Sequence, residues 1–161
     1  MTADVFVESL KSPRAIKRAL LDSLSQLLPQ REMLASIELA HLEYHNSDWH
    51  GRTEFLLLLD SYVVHVKGIL KDEERRTLSL SHNLFPLSAL EEVTVTTAYE
   101  EKVQQVYIRS VKFSATFDGG GDIKAEAELP EGEVKKVLTF AQKLLATRKE
   151  VEMLRPSSWP S

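Results

Sequence analysis

Three of the five histidines fall within ten residues, in His41-Leu-Glu-Tyr-His45-Asn-Ser-Asp48-Trp-His50, together with Glu43 and Asp48. Imidazole nitrogens and carboxylate oxygens are both zinc ligands, and Glu43 would serve as the base of a hydrolytic centre. The spacing weighs against that chemistry. A pair of histidines four residues apart meets one ion when it lies on a helix, as in H-E-x-x-H, whereas the surrounding residues alternate like a strand. At about 3.3 Å per residue, His41 and His45 then stand about 13 Å apart, too far to share an ion without a bulge. The segment therefore reads first as the solvated face of an edge strand, with His41, His45 and His50 as weak metal candidates.

Other reactive arrangements are weaker still. Asp118-Gly-Gly-Gly-Asp122 has the composition of a phosphate or calcium loop. Phosphate-cradling glycines open a helix after a strand, and here strand-like residues flank both sides, so the segment reads as a flexible hairpin turn. There is no G-x-S-x-G and no P-loop, and no spacing organises a Ser/His/Asp triad. Cysteine is absent, which excludes thiol catalysis, cysteine-held metal and disulfides. The expectation is a chain without enzymatic activity and without cofactor.

Charge narrows the partners. Residues 1–30 carry four basic and three acidic side chains, residues 131–161 six and four, and the stretch between them ten and seventeen. A body of net charge −7 between two weakly basic ends repels nucleic acid and anionic membrane, whose capture needs clustered Lys and Arg. The N-terminus places Asp4 and Glu8 where an export signal would be basic. No apolar run reaches the roughly 20 residues of a membrane span. A cytoplasmic location is expected.

The elements that would position these residues follow from periodicity. Ser12-Pro13 opens a helix, in which Ile16, Ala19, Leu20, Leu24 and Leu27 form an apolar stripe, and Pro29 stops it. That stripe packs either on the protein's own body or on a partner, so Leu20 and Leu24 are candidate contact residues. From Met33 to His45 the period is two, giving one long strand followed by a polar loop, Asn46 to Arg52. Glu54 to Leu59 is a continuous apolar strand covered on both faces. Asp60-Ser61 turns into Tyr62–Lys67, and Thr77–Ser81 alternates. Leu84 to Thr97, then Val106 to Phe117 and Ile123 to Leu129, give further strands with one wet face each. After Pro130 the period returns to helical: Val134, Val137, Leu138, Ala141, Leu144 and Leu145 form a stripe. The Pro/Ser-rich tail, 151–161, is expected to be disordered. Helix, about seven antiparallel strands and helix make a mainly β (α+β) chain, a sandwich or partly open barrel rather than a parallel α/β sheet.

This pattern resembles the pleckstrin-homology-like domains of bacteria, in particular the short single-domain kind preceded by a helix. The resemblance rests on Glu54-Phe-Leu-Leu-Leu-Leu-Asp-Ser-Tyr-Val-Val-His-Val66 and on Phe85-Pro-Leu-Ser-Ala-Leu-Glu-Glu-Val93. It also rests on a final strand, Ile123 to Leu129, leading directly into a helix from Glu133 to Ala146. It spans residues 31–150, with 1–30 as an added helical segment. Asp60 and Tyr62 stand where the family commonly has a threonine and a basic residue. The resemblance implies two nearly orthogonal sheets closed at one end by the C-terminal helix, and function by binding or assembly.

Lipid headgroup recognition in this fold needs basic residues on the loop joining the first two strands. Residues 46–52 offer Arg52 alone beside Asp48 and His50, which argues against phosphoinositide or membrane binding. Tyr44 and Trp49 at that loop suit a protein contact better. The expected role is therefore protein–protein contact or homo-oligomer formation, through a sheet edge or the N-terminal helix. A small-ligand or lipid pocket lined by Leu57, Phe113 and Phe117 is the alternative, ahead of a metal-dependent hydrolase.

Overall fold

The computed structural model describes residues 5, 7–8, 14–27, 32–45, 48–71 and 77–153, with backbone alone at 15–16, 44–45, 48–49, 71 and 151–153. Among the described residues the bounded elements follow in the order α1 (Arg14–Leu27), β1 (Ala35–Ala40), β2 (Glu43–His45), β3 (Asp48–His50), β4 (Arg52–Leu58), β5 (Tyr62–Lys71), β6 (Thr77–Pro86), a 3-10 turn (Leu87–Ala89), β7 (Leu90–Lys102), β8 (Gln105–Phe117), β9 (Asp122–Glu128) and α2 (Glu131–Met153). Seven strands form two antiparallel sheets, β1-β4-β5-β6 and β7-β8-β9, and β2 pairs with β3 alone. The chain is mainly β, as its periodicity implies, and neither sheet closes on itself. It divides into two compact units, Met1–Leu84 and Phe85–Ser161.

In the first unit, α1 buries Leu20 and Leu24 in a core with Val7, Met33, Phe55, Leu57, Leu59, Val64 and Val66. These are the strand positions on one side of β4 and β5, while Leu56, Leu58 and Val63 on the opposite side are also excluded from solvent. A strand wet on neither face cannot alternate, which is why Phe55 to Leu59 is uninterruptedly apolar. Leu59 N–H donates to the Tyr62 carbonyl at 2.8 Å, closing the Asp60-Ser61 turn. The Ser12-Pro13 helix start and Ile16 fall outside the described residues and side chains. Leu27, expected in the stripe, is exposed.

The expected single strand from Met33 to His45 is broken. Ala35↔Leu58 and Glu43↔His50 belong to one hairpin register, but β1 and β4 slip between Glu38 and Ala40, and His41-Leu42 lie outside the ladder. Opposite them Gly51 takes a φ of 95°, a left-handed value open to glycine that bends β3 away from β4. The expected polar loop 46–52 is thus largely a second short ladder, β2-β3.

In the second unit α2 packs over β8, β9 and the 3-10 turn. Val134, Val137, Phe140, Ala141 and Leu144 are buried beneath it, with Phe140 set edge-on to Phe113 at 6.0 Å. Phe140 takes the place in the stripe expected for Leu145, which is exposed. The helix also runs through Met153, so residues 151–153 belong to it rather than to a disordered tail. Arg148 donates from Nη2 to the Leu90 carbonyl at 3.1 Å, tying its last turns to the start of β7.

Candidate functional site

Among the described residues no group of three or more His, Cys, Asp or Glu comes together. His41 Nε2 lies 3.5 Å from Glu43 Oε1 at the break between β1 and β2, and His50 is exposed on β3. The side chains of Tyr44, His45 and Trp49 lie outside the described set. Their backbones place Tyr44 directly opposite Trp49 on the β2-β3 ladder, and His45 opposite Asp48. Arg52 is exposed, with Nε 3.9 Å from Glu54 Oε2.

Leu20 and Leu24 are 0% and 1% exposed, so the α1 stripe packs in cis. The residues expected to line a ligand pocket are divided between the units: Leu57 in the first, Phe113 and Phe117 in the second. Both phenylalanines are occupied with packing. Phe113 meets Phe140, and Phe117 stacks on Phe85 with ring centroids 4.8 Å apart.

The glycine turn is likewise structural. Phe117 N–H donates to the Gly121 carbonyl and Gly120 N–H to the Phe117 carbonyl. Gly119 and Gly120 take positive φ values, and a Cβ on Gly121 would stand 2.4 Å from Phe85 Cε1. The three glycines answer to a tight turn and a ring lying against it.

The feature that stands out is the far end of the β7-β8 hairpin, which periodicity alone did not mark. Each strand has thirteen residues, but β9 pairs β8 only from Ser110 to Thr116, so the hairpin beyond Ala98 and Ser110 is a two-stranded arm. Directly opposite residues share a face. Thr97 stands opposite Val111 and Val95 opposite Phe113, so the core-facing side continues outward through Tyr99 opposite Ile108 and Glu101 opposite Val106. Along the sheet this side is buried at Val111 and Phe113, yet Val95 is 39% exposed, Tyr99 62% and Val106 67%. An apolar face prepared for burial runs out of cover.

The arm ends in a two-residue turn at Val103 and Gln104, both with positive φ, at 49° and 61°. That is the type I′ geometry matched to hairpin twist, and it ordinarily selects Asn-Gly. A β-branched residue there is strained by about 1–3 kcal/mol, and Val103 is 95% exposed. The opposite face of the arm is polar: Glu100 binds Lys102 at 3.7 Å and Arg109 at 3.9 Å, and Tyr107 hydrogen-bonds Gln105. The arm thus has one side apolar apart from Glu101, one ionic side and an apolar tip.

No family profile and no curated protein matches the chain. Among solved structures it is similar to the C-terminal domain of an unknown protein from Leishmania infantum, at 10% identity and a TM-score of 0.41, over 83% of this chain and 98% of that one. At that distance the likeness informs no functional reading. No helix among the described residues is long and apolar enough to cross a membrane.

Proposed function

We propose that this chain is a non-catalytic, pleckstrin-homology-like domain that works by protein–protein contact. Two antiparallel sheets followed by a C-terminal helix support the pleckstrin-homology-like part of this reading. The observation that carries the functional part is the β7-β8 arm, whose apolar side is exposed at Val95, Tyr99 and Val106. Contiguous exposed apolar surface of this kind, rimmed by charge, is characteristic of interaction sites.

The experiment compares the full chain with its Tyr99→Lys/Val106→Lys variant, both immobilised and challenged with extract of the source cells. Proteins retained by the first and lost by the second support the reading. A small molecule extracted in stoichiometric amount from the purified protein, or equal retention by both forms, overturns it.

A further inference from the structure

We propose that two copies of this chain pair edge to edge through β7, antiparallel, in the register that sets Thr97 opposite Thr97 of the second copy. The proposal rests on reading the arm as a contact surface and names one occupant for it. β7 is the terminal strand of its sheet. From Glu92 to Lys102 it is regular: one irregularity falls before Glu92, and the other places its additional residue, Arg109, on β8. Natural edges are blunted by charge, proline or bulges. Val93-Thr-Val-Thr-Thr-Ala-Tyr99 has none of these.

Symmetry and charge then select the register. A two-fold axis normal to the sheet keeps each side chain on its own face, so the axis must pass midway between a residue and its own copy, setting that residue opposite itself. Centring on Thr96 sets Glu92 against Glu100 and Glu91 against Glu101, each twice, and like charges directly opposite are repulsive. Centring on Ala98 sets Val95 against Glu101 and pairs no opposite charges, and centring on Val95 sets Leu90 against Glu100. Centring on Thr97 sets Glu92 against Lys102 and Val95 against Tyr99, each twice, with Glu101 falling opposite Val93. The ionic ends attract, and the two exposed apolar residues of the core-facing side cover one another. Among the described residues Lys102 meets Glu100 across a solvent-exposed contact, a weak tie that lets it turn outward.

The absence of cysteine makes a direct test clean. Thr97→Cys in the full chain is expected to give a covalent dimer with a short bis-maleimide, since directly opposite Cβ atoms stand about 5 Å apart. Thr94→Cys is expected to give none, because its two copies would be separated by about 20 Å along the strands. Glu92→Lys and Lys102→Glu are each expected to raise the dimer dissociation constant roughly tenfold, and the double swap to restore it. Thr94→Cys cross-linking as well as Thr97→Cys, or a double swap no better than the singles, overturns the pairing. So does a full chain that sediments as a monomer at all concentrations. If arm-dependent capture from extract persists in that case, the contact reading stands and only the self-pairing fails.

Discussion

The hydroxyl of Ser23 lies 3.2 Å from Nε2 of His82, joining α1 to β6 within the first unit. His82 is half-buried, and desolvation lowers its pKa below the ordinary value of 6.5. The unfolded chain therefore binds more protons here than the folded one once the pH falls through 6.5, and stability must drop with it. Above that pH the ring is neutral in both states and contributes no pH dependence. Urea unfolding across this range should show stability declining toward acid, with a shallower decline in His82→Gln. An unchanged slope in the variant would assign the pH dependence elsewhere.

Phe85 stacks on Phe117 and its edge lies where a Cβ on Gly121 would be. Gly121→Ala should destabilise the protein by about 1–3 kcal/mol, the usual cost of forcing atoms into a packed site. In Phe85→Leu the ring is gone, so adding Gly121→Ala to that variant should cost markedly less. Additive losses in the double-mutant cycle would mean that the ring does not dictate the glycine.

How far the fold was legible depends on which residue is asked. Strand faces such as Val111, Phe113, Ala115 and Phe117 were readable because one side is wet and the period of two survives. At His41-Leu42 the same reading failed, because the interruption is enforced across the hairpin by Gly51 and by a slip against β4, neither of which leaves a periodic trace. The arm was missed for a different reason. Tyr99 and Val106 look like ordinary core-facing strand residues, and only the short extent of β9 and the placement of α2 over β8 and β9 leave them exposed.

Thr53 is fully buried on β4, and its hydroxyl has no hydrogen-bond partner among the described residues. Its methyl lies where a Cβ on the facing Gly68 would be, at 2.4 Å. Thr53→Val keeps the shape and removes an unsatisfied oxygen, so the variant should gain about 1 kcal/mol. Gly68→Ala should lose stability, by analogy with other overpacked sites. A Thr53→Val protein that melts below the parent would show that the hydroxyl is satisfied in solution.

Leu24 tests whether α1 belongs to the first unit. A buried leucine cut to alanine costs about 2–5 kcal/mol through lost transfer energy and a residual cavity. Leu24→Ala should show that loss at every protein concentration, because the partners of the side chain are in the same chain. A destabilisation that vanishes on dilution would instead place the helix against a second molecule.

The strained turn offers the sharpest separation of stability from contact. Val103-Gln104 occupies left-handed backbone that Asn-Gly adopts without cost. Val103→Asn/Gln104→Gly should raise stability by about 1–2 kcal/mol if the strain is expressed in solution. It should leave the Thr97→Cys cross-link intact, because Thr97 lies well inside the arm while Val103 is at its tip. The almost fully exposed Val103 side chain makes the tip itself the contact to test. Capture from extract should fall in the Asn-Gly variant even as its melting temperature rises. A variant equally stable and equally retentive would mean that Val103 serves neither the turn nor a partner.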